Sequence, residues 1–283
     1  MEIKANDVKA LREKTGAGMM DCKKALIEAN GDFSAAEKLL REWGIAGIEK
    51  RAGRATNEGR IFIAQNANEL ELIELACETD FVARNKDFIA AGTKIAERAL
   101  SQKASSTNES LETIVKEIAS LIKENIALRR VVHFYAEENE ILHAYLHGEG
   151  RIGVVVKFRA NNPKAFENEK ITAFIHDIAL HVAAFNPMFL DESKVSTDWI
   201  AEQKEIFQKQ LELDEKLKSK PEKVLEGILS GKLKKLLAEV CLLNQGFVRD
   251  EKSSVAAVLA QVSKETGYQL EIIDYYFAKV GQD

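Results

Sequence analysis

One pattern in this sequence occurs twice and limits the fold more than any other feature. Phe88, Ile95, Ala96 and Ala99 share one face of an expected helix, and Ile171, Ile178, Ala179 and Val182 repeat that face 83 positions later. Apolar residues recurring at three- and four-residue steps mark an amphipathic helix. Each helix has the same prelude. Ile61-Phe62-Ile63, a polar turn at 66–69 and the apolar run 70–77 read as a β-hairpin; residues 143–146, the turn Gly148-Glu149-Gly150 and residues 152–158 read as another. Strand, turn and helix all keep one offset, which points to duplication rather than chance likeness of two helices. The expected fold class is α+β, with a core of two related hairpin-plus-helix subdomains.

The flanking regions read as helical. Within 1–55, Val8 and Leu11 precede a break at Thr15-Gly16-Ala17-Gly18, and Met19, Met20, Cys22, Ala25, Leu26 and Ile27 form a second stripe. Asn30-Gly31-Asp32 stops that helix, with Asp32 as N-cap of a third carrying Phe33, Ala36, Leu39, Leu40 and Trp43 and ending near Gly44. Residues 45–54 read as a basic, helix-like tether. The expected division is a three-helix module 1–55, a first core subdomain 56–140, the first part of a second at 141–197, an inserted antiparallel helical hairpin 198–237, and the remainder at 238–283. In the hairpin, Ile200, Phe207, Leu211 and Leu217 form one stripe and Val224, Leu225, Ile228, Leu229, Leu233 and Leu236 another, with Ser219-Lys220-Pro221 between them. Residues 239–248 and 270–277 read as strands flanking a helix at 254–265.

Composition narrows the function classes. The 283 residues include 40 Lys+Arg against 45 Asp+Glu, a net charge of −5, so a general binder of nucleic acid is not expected. The basic runs at 49–54 and 232–235 read as solvated helix face or linker. No stretch approaches the ~20 apolar residues of a membrane span, and the N-terminus lacks signal-peptide character, so a soluble cytoplasmic protein is expected. Cys22, Cys77 and Cys241 are far apart and show no C-x-x-C spacing, which favours reduced thiols. Three prolines in the whole chain agree with a largely helical protein.

The candidates for chemistry are few. His143 and His147 on a strand stand ~13 Å apart, too far for one metal ion. His176 and His181 read as core-edge residues, and Cys22 as a buried structural thiol. No phosphate-binding loop or nucleophile elbow occurs. The segment Cys77-Glu78-Thr79-Asp80-Phe81-Val82-Ala83-Arg84 stands where a strand gives way to a helix. Either Thr79 or Asp80 suits a helix cap, and Phe81 is either a hydrophobic staple or an exposed anchor for a partner.

Two longer motifs resemble the signatures of the elongation factor Ts family. They are Leu11-Arg12-Glu13-Lys14-Thr15-Gly16-Ala17-Gly18-Met19-Met20-Asp21-Cys22-Lys23-Lys24-Ala25-Leu26 and Glu74-Leu75-Ala76-Cys77-Glu78-Thr79-Asp80-Phe81-Val82-Ala83-Arg84. Asn125-Ile126-Ala127-Leu128-Arg129-Arg130, His147-Gly148, Arg151-Ile152-Gly153-Val154 and His181-Val182-Ala183-Ala184 fit in the family's order. Ala76 departs from the usual Asn, and Gln245-Gly246-Phe247-Val248 from the usual Gln-Pro-Phe-Val.

The resemblance implies a guanine-nucleotide exchange factor for elongation factor Tu, acting by binding without covalent chemistry and needing no cofactor or metal of its own. It implies that the module 1–55 is like a ubiquitin-associated (UBA) domain and that the hairpin is a coiled coil, a candidate surface for pairing two copies. Thr79, Asp80, Phe81 and Val82 would enter the partner's GTPase domain and disturb its Mg²⁺ site, in the GDP-bound or nucleotide-free partner. Met19, Met20 and Lys23 would touch the same domain, and Asn125, Ile126 and His147 would supply further contacts. The alternative reading is a helical adaptor without exchange activity.

Overall fold

The N-terminal helices form because their apolar residues share faces. The computed structural model describes residues 3–282 apart from 215, 216 and 218–220. Helices α1 (Ala5–Thr15), α2 (Met19–Glu28) and α3 (Phe33–Arg51) close over Val8, Leu11, Cys22, Ala25, Leu26 and Ala36. Asp32 caps α3, its carboxylate accepting from the Ala35 N–H at 3.0 Å. Gly44 does not end α3, which runs unbroken to Arg51 and takes in most of the expected tether. A Cβ at Gly44 would stand 2.9 Å from the Ser120 Oγ, so glycine serves close approach there, not termination.

The described residues divide into two compact units: the first takes in those up to 135, 146–153 and those from 278 on, and the second 136–145 and those within 154–277. In the first, strands β1 (Glu58–Gln65), β2 (Glu69–Cys77) and β3 (Ala127–Tyr135) form an antiparallel sheet in that order. The one-turn helix α4 (Asp80–Ala83) follows β2, and helices α5 (Lys86–Gln102) and α6 (Glu109–Ile122) cover one face of the sheet. Phe88, Ile95, Ala96 and Ala99 of α5 meet Leu111, Val115 and Ile118 of α6 over Ile73 and Leu75.

The central strand β2 is buried on both faces, and its two buried carboxylates, Glu71 and Glu74, are paired rather than solvated. Glu71 meets His133 at 3.0 Å, and burial pushes its carboxyl above the usual range. Glu74 meets Arg130 at 3.2 Å and accepts from the Gly281 N–H at 3.0 Å. Strand β3 goes beyond the sequence reading. Arg129 and Arg130 break its apolar alternation, yet both serve buried partners: Arg130 reaches inward to Glu74, and the exposed Arg129 donates to the buried Thr56 hydroxyl at 3.1 Å.

The second unit is built on β4 (Glu140–His147), β5 (Ile152–Ala160) and β8 (Leu270–Lys279), hydrogen-bonded in that order. Helix α7 (Glu169–Phe185) buries Ile171, Phe174, Ile178, Ala179 and Val182. Strands β2 and β5 have nine residues each and begin at 69 and 152; α5 and α7 have 17 each and begin at 86 and 169. The offset of 83 thus holds for the second strand and the following helix of each copy, and the first strands begin 82 apart, at 58 and 140. In both halves a second helix leads into the third strand, α6 into β3 and α10 (Val255–Thr266) into β8.

Helices α8 (Thr197–Leu213) and α9 (Glu222–Val240) lie between α7 and α10. They run antiparallel: Trp199 and Ile200 pack with Leu237 and Leu233, and Lys232 donates to Gln210 at 3.2 Å. The expected interruption at Ser219-Lys220 lies outside the described residues. The expected strand at 239–248 is replaced by the end of α9 and the short β6 (Gly246–Phe247), which pairs with β7 (Asp250–Ser254). No helix among the described residues is long and apolar enough to cross a membrane.

Candidate partner-binding site

The turn after β2 presents one aromatic side chain to solvent. Phe81 is 82% exposed, while its neighbours Val82 and Ala83 are buried in the core beneath α5 and α6. A one-turn helix cannot bury every side chain on one side, so anchoring residues 82 and 83 turns residue 81 outward. Phe81 is therefore not the staple of a helix entry.

Thr79 is the cap of α4. Its Oγ1 accepts from the Val82 N–H at 3.3 Å and donates to Glu124 Oε1 at 2.7 Å. Asp80 begins the helix and pairs with Arg84 at 3.4 Å in an exposed position. The turn is braced further by two residues that the sequence did not single out. Glu124 Oε2 accepts from the backbone N–H groups of Glu78 and Thr79, both at 3.1 Å. In return Glu78 accepts from the Asn125 N–H at 2.7 Å. Arg60 donates to the Ala83 carbonyl at 2.6 Å and pairs with Glu149 at 3.1 Å. It so links the Phe81 turn to the turn that carries His147. A lone acid after a helix, or a lone Arg opening a strand, gives no periodic signal.

Beneath the turn, burial and then the nearby Glu124 carboxylate push the Cys77 thiol up to about 12. It stays protonated and donates to the Thr79 carbonyl at 3.2 Å.

The other expected contact residues fall in different places. Met19 and Met20 on α2 are 44% and 74% exposed, and Lys23 is exposed beside them. Asp21, on the same helix, pairs with Lys123, the residue before Glu124. Asn125 is half-buried and donates to the Arg54 carbonyl at 2.7 Å. His147 is exposed at the end of β4. Ile126 requires a correction: it is 6% exposed and packs in the α5–α6 core, because strand β3 starts beside it. Its side chain is not on offer to a partner.

The histidines also sort themselves. His143 pairs with His176 at 3.1 Å instead of with His147, and no group of three or more metal-ligating side chains occurs among the described residues. His181 is fully buried, meeting Gln245 at 2.9 Å and accepting from the Val248 N–H at 3.2 Å. Burial holds it below the usual histidine range. Two motifs remote in sequence thus meet at one imidazole.

These features define a mixed α+β protein that repeats one order of strands and helices and presents an aromatic residue on a braced turn. Comparison with known proteins narrows this to the translation elongation factors. A family model described as Elongation factor TS matches residues 78–282. Proteins named Elongation factor Ts from Treponema denticola and Borrelia recurrentis are each 43% identical over 282 residues, covering 99% of this chain and 99% and 100% of their own. That of Borreliella burgdorferi is 42% identical over 280 residues, 99% of each chain. The chain belongs to the elongation factor Ts family.

Proposed function

We propose that this protein is a guanine-nucleotide exchange factor for elongation factor Tu, and that Thr79, Asp80, Phe81 and Val82 are its lever. The observation that carries the reading is the exposed Phe81 on a turn whose flanks are buried and hydrogen-bonded. Such an aromatic is suited to a pocket between helices of a partner, where burying the ring gains roughly 1.5–3 kcal/mol. Prising those helices apart disturbs the groups that hold Mg²⁺ beside the nucleotide. Mg²⁺ neutralises phosphate charge, so its loss weakens GDP binding. By linkage, GDP weakens binding of the factor by the same factor, and incoming GTP releases it for another round. Met19, Met20 and Lys23 of a UBA-like module supply a second contact, with Asn125 and His147 bordering the lever. The α8–α9 pair serves as a coiled-coil insertion.

The test is catalytic. Elongation factor Tu loaded with fluorescent GDP is mixed with a trace of this protein and excess GTP. An exchange factor releases many equivalents of GDP per copy. A helical adaptor that only binds leaves the spontaneous rate unchanged, and that result would reject the reading.

A further inference from the structure

We infer that Glu124 is the positioning residue for Phe81, setting the ring in its docking geometry before any partner arrives; this rests on the exchange reading above. Its carboxylate takes three donors from the turn: the N–H groups of Glu78 and Thr79 on one oxygen, and the Thr79 hydroxyl on the other. The hydroxyl contact reaches further than itself. With its proton committed to Glu124, Thr79 Oγ1 directs a lone pair at the Val82 N–H, which is the cap bond of α4. One carboxylate therefore fixes both the entry to the turn and its cap, and Phe81 stands between the two residues so held.

Glu124 is itself well placed. Lys123, the C-cap that follows helix α6, has φ 64°, a left-handed conformation that non-glycine residues seldom adopt, and this bend aims the next side chain at the turn. Asp21 pairs with Lys123 on one side, and the Asn125 N–H is tied to Glu78 on the other. A turn ordered in advance loses less conformational freedom on docking than a loose one. Glu124 touches neither partner nor nucleotide in this reading; it acts through the ring.

The experiment uses the full chain and two readouts. Amide hydrogen exchange at Glu78, Thr79 and Val82 reports the turn, and release of fluorescent GDP from elongation factor Tu reports function. Glu124→Ala is expected to speed exchange at these amides by about ten- to hundredfold, the equivalent of one hydrogen bond to a charged group, and to slow GDP release. Glu124→Gln keeps the length and an acceptor for the two N–H groups, and its amide can donate to Thr79 Oγ1, so it should restore most of both. In a Phe81→Ala background, Glu124→Ala should have no further effect on release.

Unchanged amides in Glu124→Ala overturn the inference whatever the release data show. Loosened amides with wild-type release overturn it too, provided that Phe81→Ala is slow, and the exchange reading then stands. So does an equal loss from Glu124→Ala in the Phe81→Ala background, since the effect would not pass through the ring. If wild type and Phe81→Ala release GDP alike, the exchange reading fails and takes this inference with it. Should Glu124→Ala not fold, Thr79→Val cuts the hydroxyl relay alone. It must loosen the Val82 amide and slow release, and native behaviour of that variant overturns the inference.

Discussion

Thr79 carries two tasks on one hydroxyl, donor to Glu124 and acceptor from Val82. Thr79→Ser keeps both bonds, whereas Thr79→Val keeps the shape and loses them. Helix caps contribute about 1 kcal/mol, so denaturant unfolding should place the serine variant near wild type and the valine variant lower by roughly that amount. Equal stability of the two would show that the cap contributes nothing. Asp80 is different in kind. Its pair with Arg84 is exposed on both sides, and exposed pairs are worth little. Asp80→Asn should leave stability within about 0.5 kcal/mol of wild type, so any larger loss seen in partner binding belongs to the interface.

Among the elements, the hairpin of the second unit holds the most polar of its buried contacts. Glu140 on β4 accepts from the Glu137 N–H at 3.0 Å and pairs with Lys157 at 2.6 Å and Arg159 at 2.7 Å on β5. Burial opposes its ionisation, but the backbone donor and the two cations prevail and hold it down to about 2. Its unfolded value is about 4.3. A carboxyl depressed in the folded state contributes stability that is full above the unfolded value and is lost as pH falls through the folded one. Glu140→Gln should therefore cost most at pH 5 and above, with the gap to wild type closing between about pH 4 and pH 2 in urea unfolding. A gap independent of pH would contradict the assignment.

The elements also show what a sequence reveals and what it hides. The β2–α5 and β5–α7 units were legible because packing one face against a core leaves a periodic trace, and two copies at one offset reinforce it. Strand β3 was not, because Arg129 and Arg130 interrupt its pattern to serve buried partners on other segments. Gly44 misled for a related reason: a glycine that permits close helix approach looks the same as one that ends a helix. At the site, the Thr79–Val82 motif was visible and its exposure was not. Whether Phe81 points in or out depends on Glu124 and Arg60, which reach the turn from 45 and 23 positions away in the chain.

At the scale of the whole molecule, each half of the core repeats one plan and the functional readings fall unequally on them. The first copy carries the exposed aromatic between its hairpin and its helix. The matching stretch of the second is the short 3₁₀ helix Pro163–Glu167, with Ala165 buried. The second copy instead accepts the α8–α9 insertion before its final helix and strand. Of the two matching junctions, the first presents an exposed aromatic, Phe81, and the second a 3₁₀ helix around the buried Ala165.

The most direct test of the account is the rate at which Phe81→Ala releases GDP from elongation factor Tu, read beside its circular dichroism and melting curve. The ring is solvent-exposed, so its removal should leave folding and melting as in wild type while release slows by about ten- to hundredfold, the rate equivalent of the lost burial. Release at the wild-type rate from a natively folded variant would contradict the account.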